Sequence, residues 1–264
     1  MTMKKFNFSL TKREKIIITS VILSLGLVST QLVPVFLRYR FITGLAILCY
    51  LLSLWALWEG INRIKAVVLM ILPVMFTIAF TSYYFLLPVR WLTRLPAALI
   101  FGVIFYILLL SQNVFNVSAI RTIPLYRVAS TTIFVLTLIS AFLLFNVVFS
   151  MELLAVWNGL FIFILSFLLI IQIIWSVEME GLNWYTVIQT LILALVMGEV
   201  GLVLSFWPIY KPMASLALST ILFITLGVTT HVLRERLSRG VVWEYLGWGI
   251  LVFLIATMTT SWTG

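Results

Sequence analysis

Tyr185 to Trp207 reads YTVIQTLILALVMGEVGLVLSFW, an apolar run broken by a single charge, Glu199. At 1.5 Å of rise per residue, a helix of that length covers about 35 Å, more than the ~30 Å of hydrocarbon in a bilayer. The rest of the chain repeats the pattern. Comparable runs occupy Ile16–Leu37, Phe41–Trp58, Ala66–Leu87, Leu95–Phe115, Val128–Phe149, Asn158–Val177, Ala214–Leu233 and Tyr245–Trp262. Hydrophobic residues make up 63% of the 264 and charged ones 9%, against about a quarter charged in a soluble domain. The expected fold is an all-α, polytopic transmembrane bundle of about nine spans. Runs of this length without alternating polar residues exclude a strand barrel.

The joints carry what the spans lack. Residues 1–15 read as a basic tail with Lys4, Lys5, Lys12, Arg13 and Lys15, followed by one transmembrane domain over 16–264. The first apolar run is too long for a signal-peptide core and has no Ala-x-Ala site, so it reads as an uncleaved span. Trp58, Trp91, Trp157, Trp175, Trp184, Trp207, Trp243 and Trp262 lie at or near span ends, where indole favours the headgroup layer. Placing the N-terminus in the cytoplasm puts twelve Lys and Arg in inner segments and five in outer ones. The positive-inside rule therefore predicts a cytoplasmic N-terminus and an external C-terminus. Short loops and one cysteine suit a bacterial inner membrane.

The net charge of +9 falls in pairs and triplets at span ends and forms no continuous stripe, which argues against nucleic acid. The lipid bilayer is the expected partner, with anionic headgroups at the cytoplasmic face drawn by about 1 kcal/mol per cation. A membrane protein partner or a homo-oligomer is compatible with the same surface. The stretch SQNVFNVSAIRTIPLYR, from Ser111 to Arg127, resembles uncharacterised bacterial multipass proteins of unknown function, a resemblance that implies no activity. It also gathers an inner-face polar cluster of Gln112, Asn113, Asn116, Arg121 and Arg127. That cluster reads either as a headgroup or docking site, or as helix capping with charged anchoring.

Enzyme classes are tested by the parts they need. The chain has no Asp, one His (His231), one Cys (Cys49) and eight Glu. A catalytic zinc needs three protein ligands, usually several of them histidines, and aspartyl proteolysis needs two Asp. There is no Gly-x-Ser-x-Gly and no phosphate-cradling glycine loop. No catalytic residue, metal site or cofactor is expected, although an unfamiliar lipid-modifying enzyme stays open. His231, near the inner end of its span, is expected to be too far in depth from Glu199 to relay protons with it.

Glu199 is the outstanding residue. An ionisable group inside hydrocarbon costs roughly 2.5–3.5 kcal/mol on insertion scales and marks a functional site by default. Ala194, Gly198, Gly201 and Ser205 follow at spacings of four, three and four, a small-residue stripe that lets helices approach closely. Glu199 lies about 100° from Gly198, beside that contact. The stripe and the acid together place the seventh span at the expected centre of the bundle. Two functions fit: a non-catalytic membrane subunit or scaffold, and a small transporter or channel-like protein using Glu199 as a proton or cation site.

Overall fold

The computed structural model describes residues 11–30, 34–59, 61, 63–87, 91–118, 125–178 and 183–260. These form nine α-helices: α1 Lys12–Ser29, α2 Arg38–Leu57, α3 Arg63–Tyr84, α4 Trp91–Ser118, α5 Tyr126–Ser150, α6 Ala155–Glu178, α7 Trp184–Leu204, α8 Lys211–Leu233 and α9 Arg239–Met258. No strand occurs among the described residues. All but α1 are long and apolar enough to cross a membrane, and the protein is a helical membrane bundle. Below, the end of the bundle bearing Lys12 is called the N-terminal face and the other the far face.

The first helix is shorter than its apolar run suggests. Thr11 caps it, accepting from the Glu14 backbone N–H while the Glu14 carboxylate accepts from the Thr11 N–H at 2.8 Å. It stops at Ser29, eight residues before the expected Leu37. Ser29 and Thr30 donate to the Gly26 and Leu27 carbonyls at 2.7 and 2.6 Å, occupying last-turn acceptors. Pro34 then has no N–H with which to extend a helix, and a 3-10 turn at Val35–Leu37 leads into α2. Two joints use a left-handed residue that is not glycine: Glu152 after α5 (φ 53°) and Glu235 after α8 (φ 54°). At the second, Glu235 N–H donates to Val232 O and Arg236 N–H to His231 O, both at 2.9 Å, closing the helix with a Schellman pair.

The core lies on α3, α5 and α6. Of their span residues, 50%, 61% and 56% are buried, against 33% of α7. This corrects the expectation that the seventh span is central. One side of α7 packs on α6, while Leu191, Ile192, Leu195, Val196 and Val203 on its other side are exposed. Phe76, Phe80, Phe101 and Phe105 join α3 to α4 with ring centroids 5.2–5.9 Å apart. Helix α9 packs against α8, and only 6% of its span is buried.

Many buried hydroxyls survive in this apolar interior because their own helix satisfies them, Thr81 and Ser166 being exceptions with no partner among the described residues. Ser20, Thr77, Thr137, Ser140, Thr190 and Ser219 each donate to the carbonyl four residues back, at 2.7–2.9 Å. A carboxamide has too many polar atoms for that solution. Oxygens or nitrogens of Gln112, Asn116, Asn158 and Gln172 are buried without a partner among the described residues.

Candidate functional site

The α6–α7 contact sets the direction of everything on α7. Gly198 and Gly159 face each other so closely that a Cβ built on Gly198 would lie 3.0 Å from the Gly159 carbonyl oxygen and 2.9 Å from Phe163 Cβ. Gly201 abuts the Ile162 side chain. Ala194, Gly198 and Gly201 are buried there, and Ser205 is half-buried. Ser205 accepts from Asn158 Nδ2 at 3.1 Å and donates to the Gly201 carbonyl at 2.8 Å, tying the two helices near the far face.

With Gly198 turned into α6, the 100° step to the next residue carries Glu199 out of the bundle. Glu199 is exposed on the flank of α7. It lines a cleft of about 420 Å³ between α7, α8 and α9, together with Val203, Thr220, Gly249 and Phe253. None of the described residues lining it carries a positive charge. Thr220 donates to its own helix at Leu216 O, 2.8 Å. Trp207 closes the far end, its ring 5.7 Å from that of Phe253, and its buried Nε1 has no partner among the described residues. Chemically, the cleft offers one carboxyl group, as hydrogen-bond donor or counter-ion, in otherwise apolar walls.

The structure does not bring the expected inner-face cluster together at one point. Asn116 Nδ2 donates to the carbonyls of Leu57 and Glu59 at 3.2 and 3.1 Å, holding the α2–α3 joint, and Lys65 reaches the Asn116 carbonyl at 3.5 Å. Gln112 lies deeper, fully buried, with neither amide atom partnered among the described residues. Asn113 is half-buried, Arg127 is exposed at the start of α5, and Arg121 falls outside the described residues. Sequence reading missed Gln172 on α6. It stands six residues before Glu178, as Gln112 stands six before Ser118, so both are about 9 Å inside the N-terminal face. A glutamine within an apolar run was the available signal.

The charges that do pair lie at the joints. Glu59 accepts from Lys12 at 3.3 Å and Lys15 at 3.5 Å, which draws the N-terminal face together around the start of α1. The Lys12 hydrogen bond holds the Glu59 carboxyl below its ordinary range, with the charges of Lys12 and Lys15 adding to it. On the far face Glu152 pairs with Lys211 across the α5–α6 and α7–α8 joints, and that hydrogen bond likewise lowers the Glu152 pKa. His231 sits 6.1 Å from the Tyr245 ring near the N-terminal face, at the opposite end of the bundle from Glu199. Cys49 is buried and accepts from Thr77 Oγ1 at 3.2 Å. Among the described residues no three of His, Cys, Asp or Glu gather as metal ligands would.

Over residues 55–259 the chain matches the family described as "Protein of unknown function (DUF5656)", and it belongs to that family. No curated protein and no solved structure matches it.

Proposed function

We propose that this DUF5656 protein is a non-catalytic membrane subunit. Its α7–α9 cleft holds a transmembrane helix of a partner protein that presents a cation or amide to Glu199. One observation carries the reading: the only ionisable group within the apolar run of α7 faces sideways out of the bundle. Left against lipid, such a group is costly by roughly 2.5–3.5 kcal/mol. A cationic or amide side chain on a neighbouring helix removes that cost, and the small cleft seats one face of such a helix. A second copy of this chain is the poorer occupant, because its Lys and Arg residues lie at span ends, and Asn146 and Asn158, the amides near the depth of Glu199, are buried inside the bundle.

The transporter reading calls for an acid on a path through the bundle. Within about a turn of the level of Glu199, by helix rise, Phe76, Phe101 and Met197 fill the interior. That favours the subunit reading. With the cation distribution of the joints, it suits a bacterial inner membrane with the N-terminus in the cytoplasm.

The test is photo-crosslinking in native membranes from a benzophenone side chain at Val203, compared with one at Leu99 on the exposed face of α4. The expected adduct at Val203 is a single protein species. Its crosslinked peptide is an apolar span bearing Lys, Arg, Asn or Gln, and the adduct disappears in Glu199→Leu. Identical adducts at Val203 and Leu99, or an adduct indifferent to Glu199→Leu, would overturn the proposal. Proton flux in liposomes that vanishes in Glu199→Gln would establish the transporter in its place.

A further inference from the structure

A second cavity, independent of the Glu199 cleft, opens at the N-terminal face between α5, α6, α8 and α9. Its volume is about 140 Å³, less than half the low end for drug-sized ligands, and it admits a group the size of a phosphate. Ser130 and Thr131 line it from α5, Thr230 and Arg234 from the end of α8, and Tyr245 from α9. We propose that this cavity binds a phosphate group, that of an anionic lipid headgroup in the leaflet at the N-terminal face.

Donors of Arg234, Ser130 and Tyr245 converge, with N–H or O–H groups that no described residue takes up. Arg234 Nη2 donates to Ser130 Oγ at 3.0 Å, which fixes the guanidinium over the opening and leaves its other N–H groups available. Ser130 accepts in that bond, so its own proton is free to point inward. Thr131 and Thr230 donate to their own helices, at Arg127 O (3.1 Å) and Gly227 O (2.9 Å), and serve as walls. No carboxylate among the described residues lines the cavity. Glu235 and Glu244 belong to the same joint and lie outside it, while Arg127, Arg236 and Arg239 are exposed on the same face. Planar guanidinium groups recognise phosphate through paired N–H donors, a stronger contact than a neutral hydrogen bond.

The site is also built, not merely open. The Tyr245 ring lies against Gly227, where a Cβ would collide with the ring, and is flanked by Phe223 at 4.9 Å and His231 at 6.1 Å between centroids. That packing holds the phenol at the cavity wall. Arg234 is the C-cap of α8, where the helix's partial negative charge favours a cation. Val128 and Trp243 are exposed nearby at the ends of α5 and α9, which places the opening at headgroup level.

The experiment uses the whole protein in neutral detergent, titrated with phosphatidylglycerol, phosphatidylcholine or inorganic phosphate and followed by thermal shift and native mass spectrometry. Phosphatidylglycerol is expected to bind tighter than phosphatidylcholine. Arg234→Gln is expected to weaken it about tenfold, as loss of a charge-assisted hydrogen bond does. Tyr245→Phe, which keeps the ring packing, is expected to weaken it about threefold, the loss of one neutral hydrogen bond. Arg236→Gln, on the same joint outside the cavity, is expected to leave it unchanged. If inorganic phosphate alone gives the same Arg234-dependent shift, the site is upheld for phosphate but the lipid is overturned as its source. Equal losses in Arg234→Gln and Arg236→Gln would show diffuse surface charge and overturn the proposal. So would Tyr245→Phe binding like the parent if Arg234→Gln fails to fold.

Discussion

Replacing Gly198 by alanine puts one carbon where two backbones touch. The added Cβ would lie 2.9 Å from Phe163 Cβ and 3.0 Å from the Gly159 carbonyl oxygen, whereas carbon atoms rest about 3.5–4.0 Å apart. Neither neighbour can rotate away, because one is the root of a side chain and the other is backbone. Relief requires α6 and α7 to separate by about half an ångström, and a gap of 0.5–1 Å forfeits a quarter to a half of each contact along the seam. Overpacking of this kind costs roughly 1–3 kcal/mol, and removing a helical glycine returns about 1 kcal/mol. The expected net loss is about 0–2 kcal/mol for Gly198→Ala, with Gly198→Leu losing about 3 kcal/mol or more. Gly201→Ala meets no backbone; Ile162 Cδ1 can swing away, and Ile162 Cγ2 and Cβ at 3.1 and 3.2 Å need give only a few tenths of an ångström, so its loss should be smaller than that of Gly198→Ala. Gly247→Ala, on α9 with nothing within 4 Å of its Cβ, should gain up to about 1 kcal/mol. Thermal melting in detergent reads the order at about 2–4 °C per kcal/mol. Gly247→Ala should melt highest, then Gly201→Ala, then Gly198→Ala, then Gly198→Leu. Gly198→Ala melting with Gly247→Ala would mean that the α6–α7 seam is not formed as described.

Two further outcomes are expected. Glu59 has a lowered pKa in the folded protein, so the support it gives α1 is present above the ordinary carboxylate range and is lost as the pH falls through its own lower value. Amide exchange in the first turn of α1 should therefore be faster in Glu59→Gln than in the parent at neutral pH, and the difference should vanish on acidification below that range; a difference that persisted would rule the ion pairs out as its cause. For topology, a reporter fused after Gly240 should read cytoplasmic and one fused after Gly264 external, and both on one side would mean that α9 does not cross.

Helix positions were legible because bilayer thickness imposes a run length that the sequence displays directly. Ends were less legible where a local competitor decides them. The apolar run to Leu37 gave no sign that Ser29 and Thr30 would take up the last carbonyls of α1. The small-residue stripe on α7 could be read as a contact, but not which helix met it. The matching glycine, Gly159, forms with Ala155 only a short pair of small residues at the start of α6. Nor does a stripe imply centrality, since a helix can make one close contact and expose the rest. The polar residues between Ser111 and Arg127 are neighbours in the chain, yet helical rotation and the turn into α5 send them to different partners. The Arg234 cavity draws on four helices, and no pattern local to one segment announces it.

Helix α9 leans on one main neighbour, and that has a consequence for biosynthesis. The walls of the Glu199 cleft include Gly249, Phe253 and Ala256 on α9, which emerge from the ribosome after α7 and α8. Until they insert, α7 shows its acid to open lipid and no cleft exists. A chain truncated after α8 would keep its core on α3, α5 and α6 while presenting an uncovered carboxyl group on its flank. Insertion of α9 and formation of the cleft thus coincide, so a copy that lacks α9 is marked in the bilayer by a carboxyl group with no wall beside it.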